Sequence, residues 1–125
     1  MGGEEEIYEQ VKPLLSAMGD KVTLMGKTGS GQLAKMANNV LFNVSIAAMA
    51  EMLPLAKRLG VDPERLARAV SAGSGQSFGF DFFAPLVLKR DFGTGYPLQS
   101  AYKDMQVIRE MADSQEIELP PIISG

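Results

Sequence analysis

The sequence predicts a mainly α-helical chain: an all-helical domain built on one long central helix, preceded by a residual helix and strand of a parallel α/β domain. Three observations carry this. A helical pattern of apolar residues runs from Gly31 to about Leu59, interrupted only by Pro54. Shorter helical stretches follow, separated by loops rich in Gly and Ser. One short stretch near the start alternates as a strand does, and a lone strand has to pair with others in a sheet covered by helices. The chain is therefore expected to be a piece of a longer polypeptide, with residues 1–27 from the first domain and 28–125 forming a second, helical domain itself cut at its C-terminal end.

The elements follow in order. Glu4 to Met18 reads as a helix, because acids crowd its first turn, Ile7, Val11, Leu14 and Leu15 recur at helical spacing, and Gly19 supplies a stop. Pro13 is the point at which it can kink. Lys21 to Met25, KVTLM, is the expected strand. The long helix extends roughly 40 Å if unbroken, and Gly60 with Asp62-Pro63 marks its end and the next start. Pro63 to Ser71 is a short amphipathic helix with Leu66, Ala69 and Val70 inward. FDFFAPLVLKRD suggests an aromatic-rich helix in spite of Pro85, DFGTGYP a loop, and Leu98 to about Ser114 the last clear helix. The tail ELPPIISG has no partner element.

Composition narrows the chemistry. The chain has 125 residues, 46% of them hydrophobic, enough for one globular core. Its net charge is −3 and its basic residues are scattered, so neither nucleic acid nor an anionic membrane surface is an expected partner. The longest uncharged stretch, Met36 to Ala50, is shorter than a membrane span and contains Asn38, Asn39, Asn43 and Ser45. No histidine and no cysteine are present, which removes disulfides, thiol nucleophiles, Ser-His relays and the usual zinc ligands. Acid–base chemistry falls to Lys, Asp, Glu or Tyr, and no metal site is expected. The first residues are acidic where an export signal would be basic, so a cytoplasmic location is expected.

The stretch GSGQLAKMANN, Gly29 to Asn39, is the most informative. Gly26 to Gly31 has the Gly-x4-Gly spacing of a P-loop, but the next two positions are Gln32 and Leu33. The lysine for terminal phosphates and the hydroxyl for magnesium are both missing, so a nucleotide triphosphatase is excluded. Two readings of the turn stand: helix punctuation with Thr28 or Ser30 as cap, or a carboxylate site made by the N–H groups near Gly29, Ser30 and Gly31. Lys35 and Asn39, four residues apart, share a helical face that Phe42 and Ile46 continue. Lys35 is therefore expected to be partly desolvated and able to exchange a proton with a hydroxyl, although a lysine snorkelling at the rim of a core helix has the same pattern. Asn39 offers a donor and an acceptor to a hydroxyl or carboxylate.

GSGQLAKMANN, followed by a long helix containing AEMLPLAKRLGVDPERL, resembles the C-terminal half of the β-hydroxyacid dehydrogenase family, the group that includes 3-hydroxyisobutyrate dehydrogenase and tartronate semialdehyde reductase, and more distantly 6-phosphogluconate dehydrogenase. The family's Gly-x-Gly turn, lysine and asparagine fall on Gly29, Gly31, Lys35 and Asn39. Downstream, FGTGYPLQSAYKDM resembles the segment leading to the family's Lys-Asp pair, here Lys103 and Asp104, with Tyr96 bordering the same cleft. The resemblance covers nearly the whole chain. It implies that residues 1–27 are the last helix and strand of a Rossmann-type dinucleotide-binding domain, with no G-x-G-x-x-G in this sequence.

The resemblance further implies hydride transfer between a 3-hydroxyacid and NAD or NADP. Lys35 would handle the hydroxyl proton, Gly29, Ser30, Gly31 and Asn39 would bind substrate, and Lys103 and Tyr96 would meet the cofactor. The fragment by itself is expected to be inactive. The uncharged faces of the long helix lead to an expected homodimer or higher homo-oligomer. The alternative is a non-catalytic helical dimerisation module of the same fold.

Overall fold

The computed structural model describes residues 1–124, and they fall into two compact units, 1–38 and 39 onward. In the first unit, α1 (Glu5–Ser16) opens with Glu5 and Glu6 against its free N–H groups and retains Pro13 within it. Tyr8 is buried under it, and its hydroxyl donates to the carbonyl of Val22 at 3.0 Å. This one bond ties the helix to the segment that follows.

That segment is KVTLM, and it forms no β-ladder. Only residues 1–3 run beside it: the Met1 ammonium donates to the Thr23 carbonyl at 2.7 Å, and the Met25 N–H to the Met1 carbonyl at 2.8 Å. This is the pattern of a single parallel bridge at Leu24, and Gly3 then donates to Gly26 instead of continuing it. The expected strand is thus extended chain with a three-residue neighbour, too little partner for a sheet among the described residues.

The same N-terminal residues press on the glycine turn. A Cβ on Gly2 would lie 2.5 Å from the Lys27 carbonyl oxygen, and one on Gly31 would lie 2.9 Å from the Met1 carbonyl carbon. Gly31 is therefore required by close backbone approach. Ser30 is the first helical residue of α2 and not a cap.

Helix α2 (Ser30–Arg58) is continuous through Pro54, with 29 residues. It ends in a Schellman arrangement: Val61 N–H donates to the Ala56 carbonyl, Gly60 N–H to that of Lys57, and Gly60 has φ +82°. Asp62 then caps α3 (Pro63–Ser71), its carboxylate accepting from Glu64 and Arg65 N–H at 2.8 and 3.1 Å. Ser77 caps α4 (Phe78–Leu88) by accepting from Phe80 N–H, and Pro85 sits inside that helix without ending it. The last elements are α5 (Leu98–Ser114) and a short α6 (Pro121–Ser124) in the tail, where Pro121 fixes the first helical φ.

The core of the second unit is Met49 and Leu53 of α2 with Phe80 and Ala84 of α4, flanked by Ile46, Leu66, Ala67, Val70, Phe83 and Val87. Leu66 and Val70 point inward as expected. Ala69 is exposed, and Ala67 takes its place against α4. Gly79 lets α4 approach α2 closely: a Cβ there would meet Ser45 Oγ at 2.8 Å and Ile46 Cγ1 at 3.0 Å.

Candidate functional site

Asn39 opens the second unit on α2, half-buried, and its Nδ2 donates to Asp104 Oδ2 at 3.0 Å. Asp104 is half-buried in the second turn of α5. The Tyr96 hydroxyl, from the loop before α5, donates to the same oxygen. Donors from α2 and from the loop before α5 thus meet at one carboxylate oxygen.

The surroundings hold that arrangement. The Tyr96 ring lies edge-on to Phe42 with centroids 6.0 Å apart, and Phe42 in turn meets Phe78 and Phe83. Donation to Asp104, with some burial and the nearby negative charge, holds the Tyr96 phenol above its ordinary pKa. One helical turn beyond Asn39, Asn43 Nδ2 approaches the Ala101 carbonyl at 3.5 Å, and its Oδ1 is buried without a partner among the described residues. Beside these residues is a mostly apolar hollow of about 850 Å³, lined among others by Asn43, Ile46, Phe83, Tyr96, Tyr102 and Met105.

Other residues expected at the site are placed differently. Lys103 is exposed and hydrogen-bonds to none of the described residues, because the next position on a helix is turned about 100° from Asp104. Lys35 lies in the first unit, one helical turn before Asn39 on α2, and it is exposed. The expected partial desolvation is not provided by this chain, since the buried stripe of α2 begins only at Val40. Gly29 has φ +97° and its carbonyl accepts from Gln32 and Leu33 N–H, while Ser30 N–H is taken by the Lys27 carbonyl. Of the three N–H groups expected to bind a carboxylate, that of Ser30 is thus taken, while those of Gly29 and Gly31 donate to no backbone carbonyl among the described residues.

Sequence reasoning named Asp104 only as the neighbour of Lys103. Its position as the shared acceptor of Asn39 and Tyr96 depends on where the first turns of α5 meet α2, which no local spacing encodes. The signal available was the Tyr96 to Asp104 interval of eight residues, which returns a loop side chain to the second turn of the following helix.

Comparison with known proteins places these observations. Residues 29–123 match the family model described as NAD-binding of NADP-dependent 3-hydroxyisobutyrate dehydrogenase. The chain is 32% identical over 120 residues to the 2-hydroxy-3-oxopropionate reductase of Escherichia coli, a match covering 96% of this chain and 41% of that protein. It is 38% identical over 132 residues to the mitochondrial 3-hydroxyisobutyrate dehydrogenase of Bos taurus, covering 100% of this chain and 38% of the relative. A solved 3-hydroxyisobutyrate dehydrogenase from Salmonella typhimurium superposes with a TM-score of 0.84 at 27% identity, over 98% of this chain and 43% of that one. The chain thus spans about two fifths of the length of the relatives it matches. With the family model matched across α2 to α5, this chain belongs to the 3-hydroxyisobutyrate dehydrogenase family of NAD(P)-dependent oxidoreductases.

Proposed function

We propose that this chain is the helical portion of an NAD(P)-dependent 3-hydroxyacid dehydrogenase, an enzyme interconverting a 3-hydroxyacid and its semialdehyde. The observation that carries the reading is the Asn39 carboxamide, held by Asp104 one helical turn beyond Lys35. In this reading the turn Gly29, Ser30 and Gly31 receives the substrate carboxylate through the N–H groups of Gly29 and Gly31, and Asn39 meets its hydroxyl. Lys35 Nζ, as the amine, takes the hydroxyl proton while the hydride leaves carbon, and in the reverse direction the ammonium returns the proton to the carbonyl oxygen.

The residues present suit the margin of a dinucleotide site and not its centre. Lys103 is an exposed ammonium suited to a phosphate, and the half-exposed Tyr96 ring offers an aromatic edge, but the sequence has no G-x-G-x-x-G turn. The cofactor, when bound, supplies or accepts the hydride. Residues 1–27 are read as the last helix and strand of the dinucleotide-binding domain and 28–125 as the helical domain, so the 125-residue chain by itself turns over no hydroxyacid. A cytoplasmic location is part of the same proposal, supported by the likeness to the bacterial reductase of Escherichia coli.

A second reading is favoured by a separate observation. Leu41 is 72% exposed and Met52 51% exposed on α2, a helix long and apolar enough to cross a membrane by length and composition alone. Since Met49 and Leu53 of that helix are in the core of the second unit, we read the exposed residues as cover for a second copy in a homodimer or larger assembly. A non-catalytic dimerisation module would use that face and ignore Lys35.

The test is Lys35→Ala in a polypeptide carrying both this chain and the dinucleotide-binding domain. Loss of the proton-transfer group lowers kcat by about 100-fold or more. Wild-type turnover of every hydroxyacid tried supports the module instead.

A further inference from the structure

Two donors from different elements meet on one oxygen, since Asn39 Nδ2 and the Tyr96 hydroxyl both give hydrogen bonds to Asp104 Oδ2. A carboxylate has acceptors only, whereas a carboxamide has a donor end and an acceptor end. Turning the Asn39 side chain over would set Oδ1 against Asp104 Oδ2, replacing a charge-assisted hydrogen bond by repulsion between two oxygens. The chemistry of the pair therefore determines the orientation of the amide: Nδ2 faces Asp104 and Oδ1 faces away. Among the described residues nothing donates to Asn39 Oδ1.

Tyr96 strengthens the arrangement. A phenol can donate or accept, but facing a carboxylate it donates, so Asp104 is held from the loop before α5 as well as from α2. Phe42 packs edge-on against the Tyr96 ring and comes from the turn of α2 that follows Asn39. Asp104 is therefore fixed relative to Asn39 on two sides, and it has no need to touch a substrate to influence one.

We propose that Asp104 is a positioning residue that turns the carbonyl end of Asn39 outward, so that Asn39 meets a substrate as an acceptor and favours the alcohol form, whose O–H can donate, over the carbonyl form, which has no hydrogen to give. The substrate half of this proposal rests on the hydroxyacid reading above. The orientation half does not, because it follows from the hydrogen bonds alone.

The two halves are tested separately. In the 125-residue chain, the side-chain amide protons of Asn39 are followed by nitrogen-edited NMR in wild type, Asp104→Ala and Tyr96→Phe. One amide proton is expected downfield and slow to exchange in wild type and Tyr96→Phe, and to lose both properties in Asp104→Ala. No difference between wild type and Asp104→Ala overturns the positioning.

In the two-domain protein, dissociation constants for 3-hydroxyisobutyrate and for its semialdehyde are measured in abortive complexes, where no turnover occurs. Asp104→Asn, which frees the amide to turn over, is expected to weaken the hydroxyacid roughly five- to tenfold, the worth of about one hydrogen bond, and the semialdehyde less than twofold. In an Asn39→Ala background the same change is expected to have no effect. Equal weakening of both ligands, or an undiminished effect without Asn39, overturns selection through Asn39. Failure of wild type to bind either ligand overturns the hydroxyacid reading and with it the substrate half, while the NMR result still decides the orientation.

Discussion

Tyr96 donates its hydroxyl to Asp104, eight positions further along the chain, and this bond closes the loop DFGTGYP onto the helix it precedes. Donation to the carboxylate, burial and the negative charge all hold the phenol above the value of about 10 typical of tyrosine. A group whose pKa is higher folded than unfolded contributes stability that is fully present below the unfolded pKa and is lost as pH rises through the folded one. The chain should therefore lose stability on the alkaline side as Tyr96 ionises. Ultraviolet titration should show one tyrosine ionising later than an ordinary phenol, and Asp104→Asn should bring it back. If all three tyrosines titrate together in the wild type, the bond does not persist in solution.

The helices were legible in the sequence where local chemistry decides them. Asp62-Pro63 marks a start because a carboxylate cap and a fixed φ act within one turn, and Gly60 marks a stop for the same local reason. KVTLM has the alternation of a strand, but a ladder depends on partners, and Met1 to Gly3 provide one bridge only. Lys35 and Asn39 were legible as a pair because helical spacing is local. Their burial was not, since Asn39 is covered by α5 residues 65 positions away while Lys35 is exposed.

Arg90 is a site at which stability can be gained. It follows the end of α4 with φ +60°, in a Schellman arrangement in which Asp91 N–H reaches the Leu86 carbonyl at 2.9 Å. A left-handed conformation at a residue with a Cβ costs roughly 1–2 kcal/mol, and glycine avoids most of that. Arg90→Gly should raise stability by about 0.5–1 kcal/mol, allowing for the greater freedom of glycine in the unfolded chain. Equilibrium unfolding in urea measures this, and a lowered midpoint would show that the Arg90 side chain contributes more than its backbone strain costs.

Asp62 should make a distinct contribution to acid sensitivity. The hydrogen bond from Arg65 N–H, then that from Glu64 N–H and the charges of Arg65 and Arg68, hold its carboxyl below the ordinary aspartate value. A depressed folded pKa gives stability that is present above the unfolded value, about 3.9, and is lost as pH falls through the folded one. Asp62→Asn keeps an oxygen to cap α3 but has no charge to lose. Its stability should consequently fall less steeply than wild type below about pH 4. Parallel thermal melts from pH 6 to pH 2 separate the two, and identical slopes would remove Asp62 from the acid transition.

Gly79 should tolerate no side chain without a shift of α4 against α2. An alanine Cβ there would lie 2.8 Å from Ser45 Oγ, 3.0 Å from Ile46 Cγ1 and 3.2 Å from Phe42 Cδ2. The Ser45 hydroxyl is not idle, since it donates to the Phe42 carbonyl at 2.8 Å, so turning it aside breaks a bond. Overpacking of this kind costs about 1–3 kcal/mol, while alanine in place of glycine inside a helix recovers about 1 kcal/mol. Gly79→Ala should thus lower stability by roughly 1 kcal/mol net. Ser45→Ala removes the nearest obstacle and should reduce the cost of Gly79→Ala in the double variant, with Ile46 left as the remaining contact. Urea unfolding of the four species gives the coupling directly, and a Gly79→Ala variant more stable than wild type would mean that α4 does not approach α2 this closely.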